Sequence, residues 1–516
     1  MLLLAALVAV AGTACQPREP SPVLAISGRG GELRVLLPAE PPGLDPNVTR
    51  DEIAQLLAPN LYSTLVTLDT DGRLLPDLAA SWEVSDGGRT YTFHLRGGVR
   101  WHDGKPFGAQ DVRFTLERLN RRPSMSHEAV RRIAGIDTPD DLTVVLRLEE
   151  PWAPFLTTLA WGGTYILPRH LADAGGRLTA LDSRPVGTGP FRFREWVRGE
   201  RIELEASPRF HRTGPLLDRV VYRFVTDNRR AAAMLRRGET DYLLIRVSPD
   251  MVPALQRSAG IRVVTSPTYS RLYCAFNLRR RPFQDIRVRE AINRAIDRVE
   301  VVRKAHFGYG VPGVGFYTPA VSWAYHGDAH VPPFDLARAR TLLDEAGLTP
   351  DGQGVRARFE MLLAPLSPLP ETGTLLRDQL RGIGLDVRLT TVPFSEWLDR
   401  VVHQQDFDLT LLSGSHGPDP ENLSFRFGSR SPIRAFGYAS PEIDEALAEG
   451  ARTMDLTERA RAYHRVQEIL ARDLPIAPLS EGVHFTVFRS NVRGLSYAEG
   501  RGLVPNHDFS LVRVRP

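Results

Sequence analysis

The amino-acid sequence predicts an α/β fold, because strand-like and helix-like segments alternate along most of its length. Three patterns carry this prediction: an apolar run near residue 31, an alternating hairpin pattern near residue 82, and capped amphipathic helices after residue 285. The chain has 516 residues. A chain of this length is expected to form two to four domains.

The first strand is predicted over residues 31–37, and a hairpin is predicted over residues 82–96. In the hairpin every second residue from Tyr91 to Leu95 is apolar, and the sequence Ser-Asp-Gly-Gly-Arg at 85–89 is typical of a turn. Tyr269–Asn277 also reads as a strand. It contains Cys274, for which the pattern indicates a buried, inert thiol.

Two aspartates are predicted to begin helices. Asp285 precedes a helix over residues 286–297, whose apolar face is expected to extend to Val299, and Asp335 precedes the next helix. Residues 375–389 then pass from a helix through a glycine-containing turn into a strand. This order of elements again favours an α/β fold.

Composition and charge exclude some functions. Hydrophobic residues make up 42% of the chain and charged residues 24%, which is typical of a soluble globular protein. The 65 basic and 61 acidic residues give a net charge of +4. A nucleic-acid-binding protein would concentrate basic residues on one face or in one run, so no nucleic-acid partner is predicted.

Motifs of enzymes and cofactor sites are weak or absent in the sequence. The G-x-G-x-x-G match at 308–313 follows a helix and opens none, and residues 413–417 miss the nucleophile-elbow pattern by one glycine. No phosphate-binding loop, zinc-protease motif or EF-hand loop occurs. The sequence therefore predicts no enzyme, no cofactor and no metal site.

The N-terminus predicts export. Residues 1–14 form an apolar block, too short for a membrane span, that fits a signal peptide. The small residues before Cys15 resemble a bacterial lipobox, which implies cleavage before Cys15 and lipidation of its thiol; plain secretion is the alternative. Residues 15–30 are rich in Pro and Gly, and they predict a flexible tether. The protein is expected to be extracytoplasmic, lipid-anchored at the periplasmic or cell-surface face of a bacterial membrane.

Seven segments in order along the chain carry a resemblance to one family. The most specific is residues 78–112, with Leu-Ala-Ala-Ser-Trp at 78–82 and Trp-His-Asp-Gly-Lys-Pro-Phe at 101–107. The other segments are 185–191, 276–283, 288–297, 335–348, 418–422 and 458–478. Together they resemble the family 5 extracellular solute-binding proteins, of the dipeptide-, oligopeptide- and nickel-binding type.

The resemblance implies a two-lobed periplasmic-binding-protein fold of type II, the large cluster with an extra subdomain inserted in lobe I. A hinge is expected near residues 268–269 and 481–482. The implied boundaries are 31–46, 184–268 and 483–516 for lobe I, 47–183 for the inserted subdomain and 269–482 for lobe II.

The resemblance also implies the function. The protein is expected to capture peptides or similar small solutes between its lobes and to deliver them to ABC permease subunits in the inner membrane, as a monomer. One alternative is an exported hydrolase that uses Ser415 with His416, or a pair of carboxylates. Another is a peptide receptor without a role in transport.

Ligand-binding residues follow from the same resemblance: Trp161, Tyr269, Arg271, Asn277, Ser415, His416, Asp419 and Asn422. Arg271 is expected to neutralise a ligand carboxylate. Where peptide-binding relatives place an aspartate for the ligand ammonium, an ungapped alignment places His416. Either Asp419 takes that role, the alignment is shifted, or the ligand is not an ordinary peptide. The alternatives are that Trp161 packs in the core, that Asp419 forms a turn, and that His416 bonds to backbone.

Overall fold

The computed structural model describes residues 30–47, 51–121, 127–161, 163–244, 247–415, 417–431, 434–495 and 508–515. The predictions for the signal peptide, for Cys15 and for His416 lie outside these residues. Within them, no helix combines the length and the apolar character that a bilayer crossing requires.

Strands and helices alternate along the described chain, which confirms the predicted α/β class. The strands are β1 (Glu32–Leu37), β2 (Val66–Leu68), β3 (Leu74–Pro76), β4 (Ala79–Ser85), β5 (Thr90–Leu95), β6 (Ile133–Asp140), β7 (Thr143–Leu148), β8 (Phe191–Val197), β9 (Arg201–Ala206), β10 (Arg219–Phe224), β11 (Tyr242–Leu243), β12 (Ile261–Phe276), β13 (Val311–Pro312), β14 (Ala357–Leu363), β15 (Leu385–Thr391), β16 (Leu409–Ser415), β17 (Ile476–Arg489), β18 (Val492–Arg493) and β19 (Arg513–Val514).

The helices of the described residues are mostly short. They are α1 (Glu52–Leu61), α2 (Ala109–Asn120), α3 (His127–Val130), α4 (Phe155–Trp161), α5 (Asn228–Arg237), α6 (Val252–Gln256), α7 (Ile286–Ala295), α8 (Arg298–Ala305), α9 (Leu336–Glu345), α10 (Leu369–Arg381), α11 (Phe394–Leu398), α12 (Asn422–Phe427), α13 (Pro441–Arg452) and α14 (Leu456–Asp473). Single-turn 3₁₀ segments cover 86–88, 169–171, 179–182, 249–251 and 434–437, and a π-helical segment covers 399–404.

The two predicted helix caps are confirmed. The Asp285 carboxylate accepts a hydrogen bond from the Arg287 backbone N–H, and the Asp335 carboxylate accepts one from that of Arg338, each at 2.9 Å. The expected extent of the first helix was wrong, because α7 ends at Ala295 and a separate helix, α8, begins at Arg298. Val299 therefore lies on α8, and it is 66% exposed instead of facing the core.

The predicted hairpin is β4 and β5. Tyr91, Phe93 and Leu95 are buried, as their alternation predicts, and the turn between the strands is the 3₁₀ segment 86–88. A four-stranded sheet of order β4-β5-β7-β6 extends the hairpin. We call the region from β2 to α4, which contains this sheet, the insert.

A larger sheet of eleven strands forms the centre of the molecule, and its order is β15-β14-β16-β12-β17-β11-β1-β10-β9-β8, with β13 beside β17. We call the part built on β1 and β8–β11 lobe I, and the part built on β14–β16 lobe II. The long strands β12 and β17 run antiparallel through both parts. The first half of β12 pairs with the last half of β17 in lobe I. Its second half lies between β16 and the first half of β17 and pairs with both in lobe II.

A bulge interrupts β12 and β17 where the two lobes meet. Pro267 pairs with Val483, but the next pair is Arg271 with Glu481, so residues 268–270 lie opposite Gly482 alone. The hydroxyl of Thr268 donates to the Gly482 carbonyl at 3.1 Å and accepts from the N–H of Ser270 at 3.0 Å. Bulges bend strands and increase their twist. The register shift coincides with the predicted hinge positions.

Separate hydrophobic cores lie in the different parts of the molecule. One core contains buried residues from Tyr269 to Leu479 and belongs to lobe II. Two others combine β1 and β8–β11 with the end of β17, and they belong to lobe I. A fourth core fills the insert, to which lobe II contributes Ala451 of α13.

Candidate ligand-binding site

The carboxyl ends of β14, β15 and β16 lie at one edge of lobe II. β14 runs parallel to both neighbours, and Ser415 at the end of β16 pairs with Ser270 of β12, beside the bulge. Ligands of open α/β sheets bind outside the carboxyl ends of the strands. The candidate site is therefore at this edge, next to the strands that join the lobes.

One side of β16 is unpaired near its carboxyl end. β12 pairs with β16 from Leu409 to Ser415, whereas β14 pairs with it at Leu409 and Thr410. Among the described residues, no strand pairs with residues 411–415 on the β14 side. We call residues 411–415 the free segment. An unpaired strand edge offers backbone donors and acceptors to an added chain.

Four predicted residues lie close together at the end of the free segment: Ser415, the last residue of that segment, and Trp161, Tyr269 and Asn422 beside it. The rings of Trp161 and Tyr269 are 5.2 Å apart and meet edge to face at 86°. Gly417 has a φ of +65°, and a Cβ atom there would lie 2.7 Å from Nδ2 of Asn422 and 3.7 Å from Nε1 of Trp161. The loop after β16 therefore packs closely against Trp161 and Asn422, and Ser415 precedes it.

Exposure differs within this group. Ser415 and Asn422 are exposed, Trp161 is partly exposed and Tyr269 is buried. Burial, together with the nearby Asp69 carboxylate, raises the pKa of the Tyr269 phenol. The group thus presents a ring, a hydroxyl and an amide to the solvent, and it holds no net charge of its own.

Among the described residues, which do not include His416, the Ser415 side chain has a backbone partner and no adjacent base. Its Oγ accepts a hydrogen bond from the Gly417 backbone N–H at 3.2 Å. In the part of the chain that the structure describes, no carboxylate or imidazole contacts this hydroxyl, and no group of three His, Cys, Asp or Glu residues has the arrangement of a metal site. A nucleophilic serine requires an adjacent base.

Arg271 is buried in an ion pair. Its guanidinium lies 2.8 Å from Oε1 of Glu481 and donates to the Gly315 carbonyl at 2.6 Å. The two charged residues are also register partners on β12 and β17, directly beside the bulge. Burial raises the pKa of the Glu481 carboxyl, and the Arg271 charge opposes this shift. The Arg271 charge, predicted to meet a ligand carboxylate, is neutralised within the protein.

Asp419 is likewise engaged by the protein. Nη2 of Arg459 lies 2.8 Å and 3.0 Å from its two carboxylate oxygens, and both side chains are buried. The carboxylate also accepts the Glu421 N–H at 3.0 Å, which forms the turn that was the alternative interpretation. The Arg459 guanidinium lies over the rings of Trp323 and Tyr463. The explanation for His416 in which Asp419 pairs with the ligand ammonium stays a prediction.

A second carboxyl stands next to this pair. Burial raises the pKa of Glu421 to about 7, and the Asp419 charge adds to the shift. The Tyr463 hydroxyl donates to Oε2 of Glu421 at 3.2 Å. Near neutral pH Glu421 is therefore partly protonated.

Asn277 does not join the group beside the hinge. It follows β12 at the far end from Ser270, about 20 Å along the strand. Its Nδ2 donates to the carbonyls of Gln405 and Phe407, each at 2.9 Å. These contacts hold the irregular segment that leads into β16, so Asn277 has a structural role in lobe II.

Three charged residues around the candidate site were not predicted from the sequence. Glu481 and Arg459 form ion pairs with Arg271 and Asp419, and Arg426 of α12 lies near the Ser415 carbonyl. Glu481 lies 210 residues after Arg271, and Arg459 lies 40 residues after Asp419. Residues so far apart in the chain follow no sequence motif or helix or strand periodicity that would predict their contact. The resemblance did indicate the region of Glu481, because it placed one hinge crossing near that residue and the other near Tyr269.

Comparison with known proteins agrees with this architecture. The family model described as bacterial extracellular solute-binding proteins, family 5 Middle, matches residues 73–434. The glutathione-binding protein GsiB of Salmonella paratyphi A is 30% identical over 453 residues, which are 84% of this chain and 86% of that protein. GsiB of Escherichia coli O157:H7 is 29% identical over the same shares of the two chains.

Solved structures share the fold. The ABC transporter substrate-binding protein CtaP from Listeria monocytogenes has a TM-score of 0.84 at 24% identity, covering 94% of this chain and 99% of that one. The periplasmic binding protein DppA from Helicobacter pylori, in complex with the peptide STSA, has a TM-score of 0.77 at 26% identity, covering 94% and 98%. These likenesses confirm the predicted two-lobed fold, and the family match extends over more than half of the chain. The protein belongs to family 5 of the bacterial extracellular solute-binding proteins.

Proposed function

We propose that this protein captures short peptides, or small solutes of similar shape, between its two lobes and delivers them to an ABC permease. The observation that carries the proposal is the free segment of β16, which ends beside the bulge of β12 and β17. A peptide that pairs with the free segment as an added strand would use main-chain hydrogen bonds, which tolerate many side chains. The relatives are named for peptides, dipeptides and glutathione, in keeping with this ligand class.

In this proposal, closure of the lobes about the hinge informs the permease that ligand is bound. In our proposal the lobe boundaries are those that the resemblance implied, and the separate cores let each lobe move as a body. A ligand that contacts both lobes stabilises the closed state, because the ligand makes all of its contacts only in that state. The permease then recognises the closed shape. No catalytic step is required, which fits a family of binding proteins.

Ligand identification tests the proposal. The chain without its predicted signal peptide, residues 15–516, is purified from a native-like host and analysed by native mass spectrometry. It is then titrated by thermal shift with dipeptides, tripeptides, glutathione and a nickel–histidine complex. We expect retained or added peptide and a higher melting temperature, because a ligand that binds the folded state alone stabilises it. A protein that responds to none of the peptides, or to the nickel complex alone, contradicts the peptide class.

We further propose that Cys15 carries a lipid anchor that holds a monomer at the outer face of the cytoplasmic membrane. The support is the sequence: small residues before Cys15 and a tether after it. Two acyl chains hold a protein stably at a bilayer, whereas one holds it weakly. The intact mass of membrane-extracted protein should show the acyl chains on Cys15, and Cys15→Ser should release the protein in soluble form. A membrane-free wild type of unmodified mass would mean plain secretion.

A further inference from the structure

A cation without a carboxylate partner lies beside the free segment. The Arg426 guanidinium on α12 donates to the Tyr273 hydroxyl and lies within 3.5 Å of the Ser415 carbonyl. Its carbon atom is 5.4 Å from the centre of the Tyr273 ring. In the described ranges no carboxylate comes within ion-pairing distance of Arg426, in contrast to Arg271 and Arg459, whose charges Glu481 and Asp419 neutralise.

The position of this cation is set by the protein. The Tyr273 hydroxyl and the Ser415 carbonyl hold two of its nitrogens, and a Cβ atom at Gly414 would lie 3.1 Å from Nη2. Gly414 and Ser415 belong to the free segment. A partly buried guanidinium with unused N–H donors is suited to a carboxylate, which it can bind through two parallel hydrogen bonds.

An exposed apolar side chain is linked to the start of the free segment. Phe394 begins α11 after the carboxyl end of β15, and it is 50% exposed. Its ring stacks on buried Trp397, with the ring centres 5.7 Å apart and the planes at 17°. Nε1 of Trp397 donates to Oγ1 of Thr410, the residue just before the free segment. Phe394 is thereby anchored next to the place where β14 stops pairing with β16.

We propose that Arg426 binds the C-terminal carboxylate of the peptide and that Phe394 contacts an apolar side chain of it. The protein then selects short peptides with a free C-terminus and apolar residues. This inference rests on the proposed peptide ligand, because it assigns the two groups that flank a strand added to the free segment. It also assigns the carboxylate contact to Arg426 in place of Arg271, whose charge is already paired.

Isothermal titration with four probes tests the assignment: Leu-Leu-Leu and Ala-Ala-Ala, each with a free carboxylate and as the C-terminal amide. Arg426→Gln is expected to weaken binding of the free acids about 10- to 100-fold, as the loss of a charge-assisted hydrogen bond predicts. Binding of the amides should stay unchanged. Arg426→Lys, which keeps the charge and loses the planar fork, should fall between the wild type and Arg426→Gln.

Phe394→Ala is expected to weaken Leu-Leu-Leu about tenfold and to leave Ala-Ala-Ala within twofold, since the alanine methyl offers little surface to the ring. The matched controls are Arg430→Gln, an exposed arginine four residues further along the chain, and Phe334→Ala, which is 51% exposed and precedes α9. Neither control should change affinity. Equal loss for acid and amide in Arg426→Gln would assign Arg426 a structural role and overturn the inference.

The outcomes separate the inference from the function on which it rests. If the wild type binds the peptides and the Arg426 variant binds them equally well, the carboxylate assignment is wrong and the peptide function stands. If the wild type binds none of the four probes, the peptide function itself fails for this class of ligand, and the inference fails with it.

Discussion

Replacing Glu481 by glutamine is expected to lower the free energy of unfolding by about 3–5 kcal/mol. The variant leaves the buried Arg271 cation without its carboxylate partner, beside the bulge that joins the lobes. An unpaired charge in a dry environment is costly, because water no longer solvates it. Urea unfolding followed by tryptophan fluorescence measures the loss, since buried Trp397 reports on lobe II.

A matched control separates the effect of burial from that of charge. Arg338 and Glu345 form a pair of similar length, 2.7 Å, with both side chains about 40% exposed. Glu345→Gln should cost less than about 1 kcal/mol, as is typical of surface ion pairs. The double variant Arg271→Met with Glu481→Leu should recover much of the loss, because no charge remains unpaired. A loss below about 1 kcal/mol in Glu481→Gln would mean that water reaches this pair.

Asp419→Ala is expected to have a comparable effect, about 3–5 kcal/mol, and to weaken peptide binding as well. It removes the carboxylate that holds Arg459 and the turn that leads into α12. Since Trp161 and Asn422 pack against Gly417 in the same loop, a loosened turn should displace them. Thermal unfolding and titration with Leu-Leu-Leu measure the two effects.

The exposed pair of Arg465 on α14 and Glu449 on α13 is the control for this variant. Glu449→Gln should change the melting temperature by little and peptide affinity not at all. If Asp419→Ala lowers affinity while its stability matches the wild type, Asp419 contacts the ligand directly, and the assignment of its charge to Arg459 is incomplete.

Local structure was predictable from neighbouring residues. The hairpin of β4 and β5 follows from alternation around Phe93, and the starts of α7 and α9 follow from Asp285 and Asp335. Each of these depends on contacts within a few positions, which the sequence displays directly. The misjudged end of α7 has the same origin, because Asp297 caps the next helix and the apolar spacing beyond it did not signal the break.

By itself, the sequence indicated the α/β class and the family. It also predicted an export signal and a stretch of chain for the candidate site, and both stay predictions. Only the tertiary structure decided which charged groups are free. Arg271 and Asp419 have the residue types of ligand contacts, yet each is neutralised by a partner far along the chain, Glu481 or Arg459. Arg426 was not predicted as a site residue, yet it lies beside the free segment with no carboxylate partner among the described residues. Whether a charged side chain can bind a ligand depends on its burial and on the nearest opposite charge. Both are set by packing between segments that are distant in the sequence.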